Sequence, residues 1–134
     1  MARVLVVDDE TDVRQTIKTI LERRGHKVVL AACGNRALAI TEVFAFDAII
    51  VDIFMPGMDG FETIKVLRRC VPKVKVIAIS GYVFRGGATP TPDFLRMAAD
   101  LGATCCLHKP FRASELVAAI DTHCGSSQSA RRSA

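Results

Sequence analysis

Several things are scarce in this chain, and each scarcity closes off a class of protein. There is no tryptophan and only one tyrosine, Tyr82. Fluorescence that reports on many sites at once is therefore excluded, and Tyr82 is a clean single probe. The formal charge of +4 is mild, and Arg131 and Arg132 near the C-terminus supply part of it, so no nucleic-acid footprint is expected. No apolar run approaches the roughly 18 to 20 residues that a membrane-crossing helix needs. Met-Ala-Arg leads straight into Val4-Leu-Val-Val7 and then two aspartates, which is no signal peptide. A soluble, cytoplasmic protein without a membrane partner is the expectation. The five cysteines (Cys33, Cys70, Cys105, Cys106, Cys124) are odd in number and include no Cys-x-x-Cys pair. Disulfide scaffolding and a zinc ribbon are both disfavoured, and free thiols in a reducing compartment are predicted. Neither a P-loop nor a Gly-x-Gly-x-x-Gly run occurs, so nucleotide binding has no support.

What is present is a set of short apolar runs that end in polar residues. The clearest is Ala48-Ile-Ile-Val51, which closes on Asp52 and a Pro/Gly-rich loop, Met55-Pro-Gly-Met-Asp-Gly60. An unbroken β-branched run suits a strand covered on both faces, as in a parallel sheet between helices. Val4–Val7 repeats the pattern and ends at Asp8, Asp9 and Glu10. Lys27–Ala31, Val74–Ile79 (ending at Ser80) and Thr104–His108 (ending at Lys109) complete a predicted set of five strands.

Helical spacing fills the intervals. Val13, Ile17, Ile20 and Leu21 mark a helix that Gly25 stops. A second helix is predicted over Asn35–Phe44. A third, Asp59–Arg69, opens with an Asp-x-x-Glu capping box, Asp59 and Glu62. Thr91 and Pro92 form an N-cap and N1 pair that would start a fourth, and Ala113–His123 forms the last. Alternation of strand and helix implies right-handed crossovers and a doubly wound parallel α/β sheet. One domain over residues 1–124 follows, with 125–134 too short and polar to fold. The Gly- and Pro-rich stretch Tyr82–Pro92 is unusually long for a loop in so compact a domain.

A parallel sheet puts every strand end at one edge. Asp8, Asp9, Asp52, Ser80 and Lys109 are then expected together. Three carboxylates in one small space repel each other, and a hard divalent cation, Mg²⁺ or Mn²⁺, relieves that repulsion. The Lys109 ammonium and the Ser80 hydroxyl complete a cradle for a phosphoryl group, with Asp52 as carboxylate nucleophile. Each residue alone reads as an ordinary polar strand end; their agreement on one chemistry is what counts. His26, His108 and His123 are scattered and are read as structural.

Val4–Glu10, the Asp52–Gly60 segment, Ile79-Ser-Gly81 and His108-Lys-Pro-Phe111 resemble the receiver domain of two-component response regulators, CheY-like, over about residues 2–123. The resemblance implies a flavodoxin-like fold with strand order 2-1-3-4-5 and helices on both faces. It implies phosphorylation of Asp52 by a histidine kinase or histidine phosphotransfer protein. Mg²⁺ would be held by Asp9, Asp52 and the backbone carbonyl of Phe54, with Asp8 assisting through water. Ser80 and Lys109 would bind the phosphoryl group, with a cis peptide before Pro110. The chain would be no enzyme beyond self-catalysed phosphorylation and dephosphorylation. No DNA-binding or enzymatic domain follows residue 123, so output is expected through protein contact over about residues 92–123.

Two departures from the family pattern stand out. Cys106 occupies the position, three before the lysine, where the family usually has Tyr or Phe, and the Tyr82–Pro92 loop is longer than usual. Tyr82 or Phe84 is the expected replacement for the missing aromatic switch, and Phe54 with Tyr82 predicts a shielded, slowly hydrolysed phosphate. The competing readings are a phosphorelay intermediate or phosphate sink, a receiver-like domain that binds partners without phosphate, and a metal-dependent phosphohydrolase. The last commonly needs a second aspartate where this chain has Phe54.

Overall fold

The computed structural model describes residues 2–53, 60–80, 99–109 and 111–122, with the side chain of Ser80 excepted. Five strands, β1 (Arg3–Val7), β2 (Lys27–Ala31), β3 (Ala48–Asp52), β4 (Lys75–Ser80) and β5 (Cys105–His108), form one sheet in the order β2-β1-β3-β4-β5. Every pairing is parallel. Among the described residues there are four complete helices: α1 (Thr11–Arg23), α2 (Gly34–Thr41), α3 (Gly60–Cys70) and α4 (Ala113–Ile120). Ala99 and Asp100 are also helical, while the predicted helix start at Thr91 and Pro92 lies outside the described residues.

The strands are buried on both sides because their alternating side chains feed two cores. Leu5, Val7, Ile49, Val51, Val76 and Ala78 face one side, where Ala37 of α2 and Ile64 and Leu67 of α3 cover them. Val4, Val6, Ala48, Ile50, Ile77 and Ile79 face the other, under Ile17 and Leu21 of α1 and Leu116, Ala119 and Ile120 of α4. The period-2 alternation of a strand thus explains why β3 carries no polar residue before Asp52. Cys105 packs in the second core and Cys106 in the first, as adjacent strand residues must.

Two helix ends differ from the sequence reading. The second helix stops at Thr41 rather than Phe44: the Thr41 hydroxyl donates to the Leu38 carbonyl, and the amides of Val43 and Phe44 both turn back to Ile40. That tightened turn leaves Val43 and Phe44 exposed, so Val43 is not part of the helix's apolar face. The last helix ends its regular turns at Ile120, followed by a wider turn at 121–122, with His123 outside the described residues. At its start the Arg112 amide donates to Glu115 Oε1 at 3.0 Å, a cap that sequence reading overlooked. The Asp59 cap of α3 and the 125–134 tail also lie outside the described residues.

Gly60 fixes the entry to α3. A Cβ there would collide with the Asp52 carbonyl oxygen and the Cα of Ile53, and the Gly60 amide donates to the Ile53 carbonyl at 2.9 Å. The helix therefore begins in direct contact with the backbone of the strand end that carries Asp52. No helix among the described residues is long and apolar enough to cross a membrane.

Candidate phosphoryl and metal site

Register brings the strand ends together. Val7 lies beside Val51, so Asp8 and Asp52 follow on neighbouring strands; Asp52 lies beside Ile79, and Ser80 beside His108, which precedes Lys109. Asp8 and Asp52 are buried, whereas Asp9 and Glu10 are exposed at the rim.

The Lys109 ammonium lies between the two buried aspartates, donating to Asp8 Oδ2 at 2.9 Å and to Asp52 Oδ2 at 3.2 Å. Glu10 Oε1 is 3.8 Å from the same nitrogen. Burial alone would lower the lysine pKa, but the hydrogen bond to Asp8 and the charges of Asp52 and Asp8 outweigh it and raise it above the ordinary value. The ammonium is therefore held charged in a place where an unpaired one would neutralise.

Asp8, Asp9, Glu10 and Asp52 each present a carboxylate oxygen within 4.8 Å of the others. A hard, all-oxygen donor set of this kind fits Mg²⁺ or Mn²⁺ rather than zinc or copper. Asp8 Oδ1 accepts the Glu10 amide at 2.9 Å, which closes the turn from strand to helix. Glu10 stands at the N-cap of α1 without a side-chain cap hydrogen bond, and its exposed carboxylate lies at the rim of the site.

Of the residues singled out in the sequence, Asp8, Asp9, Asp52 and Lys109 meet here. Ser80 closes β4 at the same edge, but its hydroxyl is outside the described atoms, and Phe54, Tyr82, Phe84 and Pro110 lie outside the described residues. Cys106 packs against the core cluster beneath α2 and α3, and burial foremost, then the neighbouring Cys105, raises its thiol pKa. Sequence reasoning noted Glu10 only as a strand-end acid and gave Arg14 and Gly60 no part. Their signals, an acid after an Asp pair and a glycine at a helix entry, are too common to stand out without coordinates.

The fold and this acidic edge are those of a phosphoacceptor module. The family model of the response regulator receiver domain matches residues 4–121, and the chain belongs to that family. It is 35% identical over 119 residues to the transcriptional regulatory protein TcrA of Mycobacterium tuberculosis, covering 88% of this chain and 44% of TcrA. It is also 35% identical over 122 residues to the sensory/regulatory protein RpfC of Xanthomonas campestris, covering 86% of this chain and 15% of RpfC. The chain thus spans less than half the length of either relative. Among solved structures, the chemotaxis protein CheY4 of Vibrio cholerae superposes with a TM-score of 0.82 at 32% identity, covering 92% of this chain and 98% of CheY4. A receiver domain from Clostridium thermocellum gives 0.82 at 31%, covering 96% and 98%.

Proposed function

We propose that this receiver domain, taken as residues 1–124, is a phosphorylation switch in which Asp52 accepts a phosphoryl group from a phosphohistidine of a sensor kinase or phosphotransfer protein. The observation that carries this reading is the shared ammonium: Lys109 bridges Asp8 and Asp52 at 2.9 and 3.2 Å. That arrangement suits a nucleophilic carboxylate with a cation ready for the incoming phosphoryl oxygens. In the transfer, an Asp52 carboxylate oxygen bonds to phosphorus as the bond from phosphorus to the donor nitrogen breaks, and the leaving electron pair stays with the imidazole.

A divalent cation held by Asp9 and Asp52, with Asp8 and Glu10 beside them and the Phe54 carbonyl as a further ligand, would neutralise phosphoryl charge. Lys109 would move its ammonium from the Asp8–Asp52 pair onto a phosphoryl oxygen, and the Ser80 hydroxyl would donate to another. Output would be protein contact through about residues 92–123, with Tyr82 and Phe84 as switch candidates where Cys106 offers no aromatic ring. Pro110 would set the path of the chain after the lysine.

The test is incubation of the full chain with acetyl phosphate, with and without Mg²⁺, followed by intact mass. A gain of one phosphoryl group that requires Mg²⁺ and vanishes in Asp52→Asn is expected. Modification that persists in Asp52→Asn, or none in the parent chain, overturns the reading.

A further inference from the structure

Asp8 is fully buried, and all its polar atoms have partners. Its amide donates to the Ala31 carbonyl at 3.1 Å, Oδ1 accepts the Glu10 amide at 2.9 Å, and Oδ2 accepts Lys109 at 2.9 Å. The remaining atom, its backbone carbonyl oxygen, accepts Arg14 Nη1 at 2.6 Å. The second terminal nitrogen of the same guanidinium donates to Thr11 Oγ1 at 3.1 Å, and the Arg14 amide donates to the Glu10 carbonyl at 3.1 Å. Arg14 therefore spans the turn from Asp8 to Thr11, the segment that delivers three of the four clustered carboxylates.

We infer that Arg14 is a positioning residue for the cation site: through the Asp8 carbonyl it holds the strand-to-helix turn in the shape that converges Asp8, Asp9 and Glu10 on Asp52. The inference rests on the reading of that cluster as a Mg²⁺ site. Arg14 touches neither metal nor phosphoryl group in this role. Groups that orient metal ligands are worth about 10- to 100-fold in metal affinity.

Electrostatics alone predicts the opposite sign. A guanidinium beside a cation site repels the cation, so removing it would tighten Mg²⁺ binding. Arg14→Lys keeps the charge but loses the planar fork that reaches two acceptors at once; Arg14→Met loses both. A positioning role predicts that both variants weaken Mg²⁺ by about tenfold, near the lower end of that range. A role through charge alone predicts that Arg14→Lys binds as the parent does and Arg14→Met binds more tightly.

The experiment is calorimetric titration of the 134-residue chain and both variants with MgCl₂ at constant ionic strength, with thermal melts to show that each is folded. Thr11→Val removes the second anchor and leaves the charge untouched, which keeps the question decidable if an Arg14 variant does not fold. It should weaken Mg²⁺ in the same direction by a smaller factor. Acetyl phosphate labelling should fall at low Mg²⁺ and recover at saturating Mg²⁺, a split that a general loss of structure would not give. Unchanged affinity in the folded variants, or tighter binding by Arg14→Met, overturns the role of Arg14 alone. Absence of Mg²⁺ binding by the parent chain overturns the site reading and this inference with it.

Discussion

Lys109 holds two buried carboxylates apart and in place, so its charge carries more than an exposed ion pair would. Its side chain is 15% exposed against 1% for Asp8 and 4% for Asp52, so solvent screens the contacts little. Lys109→Met leaves the aspartates uncompensated, and the cost of breaking a buried pair in this way is about 3 to 5 kcal/mol. Urea unfolding should show that loss, and millimolar Mg²⁺ should return part of it by binding only the folded state. An unchanged urea midpoint would contradict the buried-pair account. The raised lysine pKa also has a signed consequence. The contribution is fully present below the unfolded value of 10.5 and is lost as pH rises through the higher folded value, so alkaline unfolding should be steeper in the parent than in Lys109→Met. Asp8, Asp9, Asp52 and Lys109 were legible in the sequence because each ends an apolar run. Arg14 was not, because what matters is where its guanidinium lands, and nothing in the spacing of α1 distinguishes it from a solvent-facing arginine.

At the scale of elements, α3 and β3 meet at one glycine. Gly60→Ala would drive a methyl group into the backbone at Asp52 and Ile53. Neither neighbour is a side chain that can swing aside, so the helix start or the strand end must shift. A cost of about 1 to 3 kcal/mol is expected for such overpacking, together with slower labelling of Asp52. Chemical denaturation and acetyl phosphate labelling on one sample check both, and a variant of normal stability and normal rate would show that the contact yields freely. A close approach of a different kind occurs at Gly102, whose φ of +111° would strain any other residue and whose added Cβ would meet the Arg68 side chain. Arg68 there donates to the carbonyls of Pro72 and Val74, tying the end of α3 to the entry of β4. The strands could be read from sequence because burial on two faces demands continuous apolar runs. The end of α2 could not, because Val43 and Phe44 look like core residues until the turn at Thr41 points them outward.

For the molecule as a whole, His26 fastens the pole opposite the acidic edge. It is 8% exposed; its Nδ1 accepts the Ala2 amide at 3.0 Å, and its Nε2 lies 3.7 Å from Asp121 Oδ1 beyond α4. Burial lowers its pKa below 6.5, more than the attraction of Asp121 raises it. The folded protein therefore holds the ring neutral at pH values where the unfolded chain already binds a proton. Stability rises with pH between the lowered folded value and 6.5. It is complete above that window and lost as pH falls through the folded value. Urea unfolding from pH 5 to 8 should show this slope in the parent and less of it in His26→Gln; parallel curves would remove His26 from the account. This latch was not legible before the coordinates, since a lone histidine before a strand is unremarkable.

The contacts that complete the acidic edge join distant parts of the chain: Lys109 is separated from Asp8 by 101 positions and from Asp52 by 57. During synthesis the two aspartates emerge well before the ammonium that answers them. A nascent chain lacking β5 and Lys109 thus carries Asp8 and Asp52 without their counter-cation, and the acidic edge is completed only with the last quarter of the domain. Covalent order thus sets when the two buried carboxylates gain their counter-charge.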